Sequence, residues 1–254
     1  VIPSGGRFWH VEPVMGTMVG IRSPDPLRED AVAAAAAVLH DADRVFSVWN
    51  PDSPMSRLRA GRTAMDDLAP DDAATIRSVL DRCAVACELS EGAFDPWSLP
   101  GGVDPTGLVK GWAVGRARQV LVEGGHDTVM VNGGGDIAVA GRPDGRSWRA
   151  GIRHPMQPTQ LAAVVEVTAA VATSGNYERP GELLDPATGR TARGVISATV
   201  TGPELDLVDA LATALAVRGG PMLEAIGGLV GYGAYLISDE GRHYASGTMT
   251  FATP

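Results

Sequence analysis

Val103-Asp104-Pro105-Thr106-Gly107-Leu108-Val109-Lys110-Gly111 holds the single lysine of a 254-residue chain whose other basic residues, histidine aside, are all arginine. An ammonium is compact and a guanidinium broad and planar, so a lone lysine is expected where one oxygen or a flat ring must be approached closely. The residue equally suits a surface helix that escaped a coding bias, and residue type alone favours neither reading. Asp104, Pro105 and Gly107 predict a turn with close backbone approach. Gly111 then opens an Ala-, Val- and Arg-rich run, closed by Gly124-Gly125, that predicts a helix to about Glu123.

Downstream, Thr128 to Asn132 is a short apolar strand running into Gly133-Gly134-Gly135-Asp136, after which Ile137 to Ala140 resumes it. The glycines predict either a bulge or a backbone lying against a ligand. Asp144-Gly145 predicts a hairpin turn, with Trp148 to Ile152 and Leu161 to Val167 as its strands or their neighbours. Ala169 to Ala172 leads as a strand into Thr173-Ser174-Gly175-Asn176-Tyr177. Asp185-Pro186-Ala187-Thr188-Gly189 is turn-rich, and Val195 to Val200 is a β-branched strand. Asp206 to Arg218 is helical, with Leu207, Leu211, Ala214 and Leu215 on its apolar side. Strands near Gly233 to Ser238 and Arg242 to Ala245 follow, with Thr248 to Phe251 at an edge.

Upstream, Val11 to Arg22 reads as a strand broken by Met15-Gly16-Thr17, where a glycine lets a ligand approach the backbone. Pro24-Asp25-Pro26 opens a helix with Val32, Ala35, Ala36, Leu39 and Phe46 at helical spacing, ended by Pro51. Trp49, on the loop that follows, fits stacking on a planar ring or an aromatic lid on the core. Asp71 to Ser90 is a further helix, with Ile76, Val79, Leu80, Cys83 and Cys87 on one face.

A hydrophobic fraction of 44% supplies an ordinary core, and the net charge of −9 argues against non-specific nucleic-acid binding. An anionic ligand would need a metal ion or oriented N–H groups to offset repulsion. The two cysteines lack His or Cys companions at metal-ligand spacing and read as free core thiols, in keeping with a reducing compartment. No apolar run reaches the length of a membrane span and no signal peptide precedes Val1. The expected location is cytoplasmic, or exported or membrane-anchored if a leader was removed.

Asp209 and Thr213 lie four apart on one helix, which turns a carboxylate and a hydroxyl to the same side. Such oxygen ligands suit Mg²⁺, which takes one or two carboxylates from protein and completes its shell with water and phosphate. A polar helix face explains the same spacing. Asp95, Asp104, Asp136 and Asp185 each occupy a Gly- or Pro-containing turn, where turn formation is the commoner role. The five histidines make no constellation, and GxSxG is absent.

Taken in order, several of these segments resemble the ApbE family of FAD:protein FMN transferases. They are Met15-Gly16-Thr17, Phe46-Ser47 through Ser53-Pro54-Met55-Ser56-Arg57-Leu58, Gly92-Ala93-Phe94-Asp95, Asp104 through Gly111, Asn132 through Asp136, Thr173 through Tyr177, Asp185 through Gly189, and Asp209 through Leu215. The resemblance implies an α+β fold of two lobes, mainly antiparallel sheets with flanking helices, and a ligand cleft between the lobes. Residues 1–254 would form one such domain, with the lobe boundary unassigned. It implies FAD contacts from Met15, Trp49, Ala93, Phe94, Asp95, Asp104, Lys110, Thr173, Ser174, Gly175 and Leu183. It also implies a Mg²⁺ held by Asp209, Thr213 and the backbone oxygens of Gly107 and Ala212.

The implied reaction moves FMN from FAD to a Ser or Thr hydroxyl of an acceptor protein and releases AMP, with the metal supplying most of the charge stabilisation. The family's usual catalytic histidine falls at Glu182, a weaker base with a reference pKa of about 4.3. That departure leaves two alternatives to transfer: FAD binding without transfer, or slow hydrolysis of the FAD diphosphate.

Overall fold

The computed structural model describes residues 8–98, 101–157, 159–175 and 183–252. Its strands are β1 (Phe8–Val14), β2 (Thr17–Ser23), β3 (Val129–Gly133), β4 (Asp136–Ala140), β5 (Trp148–Arg153), β6 (Leu161–Val167), β7 (Ala170–Ser174), β8 (Leu184–Asp185), β9 (Arg190–Thr191), β10 (Val195–Gly202), β11 (Gly233–Ser238) and β12 (His243–Gly247). Its α-helices are α1 (Glu29–Phe46), α2 (Pro54–Arg59), α3 (Pro70–Leu89), α4 (Thr106–Glu123), α5 (Leu205–Arg218) and α6 (Gly220–Gly228). Eight strands form one sheet in the order β1-β2-β3-β4-β7-β10-β11-β12, antiparallel at every pairing. The expected mixture of helices and antiparallel sheet is therefore observed.

Both faces of the sheet's middle are covered, which explains why β3 and β4 read as apolar runs without alternation. Val129, Val131 and Ala138 face a core shared with α1, α3, α4 and α5. Their neighbours Met130, Ile137 and Val139 face a second core built with the β5–β6 hairpin, through Trp148, Ile152, Val165 and Val167. The C-terminal stretch pairs there too, as Val165 bridges Phe251 and the Glu166 N–H donates to the Thr250 carbonyl.

Two breaks expected within strands are hairpin turns. Val14 pairs with Thr17, leaving Met15 and Gly16 as a two-residue turn with φ of 53° and 68°. Gly133 pairs with Asp136, leaving Gly134 and Gly135 with φ of 67° and 112°. A two-residue connection with left-handed residues matches the twist of an antiparallel pair, so the glycines reverse the chain instead of bulging it. Asp144-Gly145 lies in a 3₁₀ turn leading into β5 and does not join β5 to β6.

The register brings these turns together. Val19 near the start of β2 pairs with Gly133 at the end of β3, Ile137 near the start of β4 pairs with Val171, and Ser174 at the end of β7 pairs with Ala198 near the start of β10. Met15-Gly16, Gly134-Gly135 and Thr173-Ser174 consequently share one end of the sheet. Helix α4 starts at Thr106 rather than Gly111, because Pro105 occupies the cap position and the Asp104 side chain accepts the Thr106 N–H at 3.1 Å. Gly107 and Lys110 are thus helical. Helices α2 and α6 were not expected. Ser53 caps α2 by accepting the Ser56 N–H at 3.0 Å, with Pro54 at its first position, a legible signal in a short stretch.

Candidate functional site

Helices α4 and α5 cross beside the sheet end at Gly111. A Cβ built there would lie 2.6 Å from the Leu205 carbonyl oxygen and 2.9 Å from the Asp209 Cβ, so only glycine permits this approach. The Gly111 N–H donates to Asp209 Oδ2 at 3.1 Å. In an α-helix that amide is directed at the carbonyl four residues earlier, here Gly107. The Asp209 carboxylate therefore sits against α4 at Gly111, one helical turn past Gly107.

Asp209 is 5% exposed. Burial pushes its carboxyl up, to about 8, and the negative charge of Asp136 adds to the rise, while the Lys110 ammonium and the Gly111 N–H oppose it. At neutral pH such a carboxyl is mostly protonated, and a bound cation would favour its ionised form. One turn further along α5, Thr213 Oγ1 lies 3.2 Å from Ser174 Oγ at the end of β7. Thr173 Oγ1 pairs with Thr199 Oγ1 at 2.8 Å. Ala212, between the two α5 residues, is fully buried.

Lys110 reaches across to β4, where its Nζ lies 2.6 Å from Asp136 Oδ2. The Asp136 side chain is 2% exposed and that of Lys110 is 40% exposed, so the ammonium bridges a buried charge and the solvent. Lys110 does not pair with Asp104. Asp104 Oδ2 instead accepts from Arg59 Nη1 at 2.8 Å, and Oδ1 accepts from Thr106 Oγ1 at 2.6 Å as well as from the Thr106 N–H.

Ala93 and Phe94 are buried, and the Phe94 N–H donates to Ser90 Oγ at 3.0 Å. A Cβ on Gly107 would stand 3.1 Å from the Phe94 ring, so this turn abuts the first turn of α4. Asp95 Oδ1 accepts the Trp97 N–H at 2.9 Å. Gly175, just past β7, and Leu183 are half-buried; Leu183 packs on the main core, and its carbonyl accepts the Ala192 N–H at 2.9 Å. Met15 sits half-buried in its turn at the same sheet end. Trp49 is 91% exposed, which removes the core-lid reading. Glu182 lies outside the described residues.

Residues 15–101 and 98–227 match the ApbE family. The chain belongs to the ApbE family. An FAD:protein FMN transferase of Rhodobacter capsulatus is 33% identical over 218 residues, covering 82% of this chain and 38% of that protein. One of Vibrio cholerae serotype O1 is 34% identical over 129 residues, covering 46% of this chain and 39% of that protein. The ApbE-family chain thus spans about two fifths of the length of these relatives. The flavin transferase ApbE from Vibrio cholerae superposes with a TM-score of 0.79 at 22% identity, covering 94% of this chain and 96% of that one. The Thermotoga maritima ApbE protein gives 0.78 at 22% identity, covering 94% and 96%, and the Pseudomonas stutzeri flavinyl transferase ApbE gives 0.75 at 21%, covering 97% of each. These superpositions establish the ApbE fold.

Elsewhere, histidines gather where the sequence suggested none. Glu12 accepts from His40 Nε2 at 2.8 Å and His10 Nε2 at 3.0 Å, uniting β1 and α1, and the two bonds lower its carboxyl pKa, His40 more than His10. Cys83 and Cys87 are free thiols, and burial pushes Cys83 up to about 12. Asp185 forms a turn, accepting from the Ala187 N–H and Thr188 Oγ1. Among the described residues no three His, Cys, Asp or Glu are grouped to hold a metal, and no helix is long and apolar enough to cross a membrane.

Proposed function

We propose that this chain is a Mg²⁺-dependent FAD:protein FMN transferase, moving FMN from FAD to a Ser or Thr hydroxyl of an acceptor protein with release of AMP. The observation that carries the reading is the Gly111 amide, which holds the buried Asp209 carboxylate against α4 one turn past Gly107. Asp209, the Thr213 hydroxyl and the carbonyls of Gly107 and Ala212 form an all-oxygen donor set with a single carboxylate, which suits Mg²⁺. When bound, Mg²⁺ supplies charge stabilisation for phosphoryl transfer.

The protein's own residues supply position. Lys110 carries an ammonium to the sheet end while neutralising Asp136. Thr173, Ser174 and Gly175 present small polar groups on β7 and just beyond it, Met15 and Leu183 add apolar surface, and Ala93, Phe94 and Asp95 form the turn against α4. The exposed Trp49 ring is available to stack on a planar ligand. Glu182 is the candidate to accept the acceptor hydroxyl's proton.

A second reading rests on the identity of Glu182. A carboxylate accepts a proton less readily than imidazole, so the chain would bind FAD without transfer or hydrolyse it slowly to FMN and AMP. Incubation with FAD, Mg²⁺ and a flavin-acceptor domain separates these. Covalent flavin with AMP supports transfer, FMN and AMP without covalent flavin supports hydrolysis, and tight binding with neither product supports a binding module. No FAD binding would refute all three.

A further inference from the structure

Helix α2 connects two parts of the molecule that the sequence does not join. At its N-terminal side the Trp49 loop is folded tightly onto it: Ser53 Oγ and Ser56 Oγ both donate to the Ser47 carbonyl, at 2.8 and 3.0 Å, and Arg62 just past the helix donates to the Pro51 carbonyl. At its C-terminal end Arg59 Nη1 donates to Asp104 Oδ2 at 2.8 Å, with side-chain exposures of 20% and 18%. The Asp104 N–H in turn donates to the Pro96 carbonyl at 2.9 Å, which attaches the turn carrying Phe94 and Asp95.

A carboxylate offers about four acceptor positions. Arg59 Nη1, the Thr106 N–H and Thr106 Oγ1 take three of those of Asp104. Its role is therefore more to hold protein than to meet a ligand. The bonds it makes converge on the first turn of α4, where Gly107 and Lys110 lie.

We propose that Arg59 is a positioning residue of the flavin site: by binding Asp104 it holds the Trp49 loop, the Phe94–Asp95 turn and the start of α4 in one arrangement. The inference rests on the flavin reading above and adds a residue outside the segments that suggested it. Because the pair is part-buried and charge-assisted, removing Arg59 frees the Trp49 loop and α2 from the α4 start, which Asp104 still ties to the Phe94–Asp95 turn. The site then loses preorganisation, and ligand binding must restore it.

The test uses Arg59→Ala, Arg59→Lys, Asp104→Asn and the Arg59→Ala/Asp104→Asn double variant. Hydrogen exchange is read without ligand, and FAD affinity and turnover are read with Mg²⁺. Arg59→Ala is expected to speed exchange of the amides at 47–53 and 104–107 and to raise the FAD Kd and KM about tenfold, with a smaller change in kcat. Arg59→Lys, which keeps a charge within reach of Asp104, returns Kd to within about threefold of the unmodified protein. The double variant binds FAD no worse than the weaker single variant, because both remove one interaction.

Weakened FAD binding without faster exchange would overturn the proposal, as it would make Arg59 a direct ligand contact. Faster exchange with unchanged Kd would overturn it too, leaving a tie that does not serve the site. Multiplying effects in the double variant would show that the two residues act separately. If the unmodified protein binds no FAD, the flavin reading fails by itself, and unchanged exchange in Arg59→Ala would separately refute the tie.

Discussion

Replacing Gly111 by alanine tests the crossing on which the site is built. The added Cβ meets the Leu205 carbonyl oxygen at 2.6 Å, its carbon at 3.1 Å and the Asp209 Cβ at 2.9 Å, and the first of these belongs to backbone that cannot swing aside. Overpacking of this kind costs about 1–3 kcal/mol, while alanine in a helix interior recovers about 1 kcal/mol relative to glycine. If the helices separate enough to relieve the contact, the 3.1 Å bond from Gly111 N–H to Asp209 also weakens. With the Asp209 carboxyl pushed up to about 8 the acceptor is mostly neutral at neutral pH, so that bond is worth about 0.5–1.5 kcal/mol and its loss brings the net destabilisation to about 2 kcal/mol. For a domain of this size that lowers Tm by about 4–8 °C. Gly115→Ala, one turn further along α4, provides the contrast, since its Cβ would meet only the Leu205 Cβ, at 3.8 Å. There helix propensity acts alone, raising stability by about 0.5–1 kcal/mol. Chemical denaturation and calorimetry of both variants give the answer. Equal shifts in the same direction would refute the close crossing and the placement of Asp209 that follows from it.

Lys110→Ala withdraws the ammonium from the buried Asp136 carboxylate and, because Lys110 is itself 40% exposed and partly screened, should cost about 2 kcal/mol in urea unfolding. The Glu12 carboxyl, held below the usual glutamate range first by His40 and then by His10, should titrate below a free glutamate in a carbonyl-detected NMR experiment and rise in His40→Ala. Since its folded pKa is lowered, its contribution to stability is present above the unfolded pKa and lost as pH falls through the folded one. Acidification below pH about 4.5 should therefore destabilise the unmodified protein more than Glu12→Gln. Cys83, buried and shifted to about 12, should resist a thiol reagent at pH about 8 in the native protein and react on unfolding, against a free thiol near 8.5.

The long helices were legible because their apolar faces repeat: α3 spans Pro70–Leu89 and α5 Leu205–Arg218, within a residue of the periodicity. Glycine punctuation was visible but its geometry was not. Met15-Gly16 and Gly134-Gly135 read as interruptions because the residues on either side continue the same apolar character, and only cross-strand pairing shows the reversal. The start of α4 was missed because Asp104-Pro105 is both a turn signal and a helix cap. Helix α6 was hidden by its glycines. For the site, the Asp209 and Thr213 spacing was readable within one helix, whereas Lys110 with Asp136, Gly111 with Asp209, and Arg59 with Asp104 join residues from different elements. No local pattern encodes those pairs. The histidines around Glu12 were scattered along the chain for the same reason.

The central claim is that Asp209 gives an acidic chain the cation with which it holds a diphosphate. Titration calorimetry of FAD, with and without Mg²⁺, into the unmodified protein and Asp209→Ala tests it most directly. The account predicts that Mg²⁺ tightens FAD binding at least about tenfold in the unmodified protein, that this gain vanishes in Asp209→Ala, and that the metal-free affinities stay alike. A Mg²⁺ gain that survives in Asp209→Ala, or none in the unmodified protein, would contradict it.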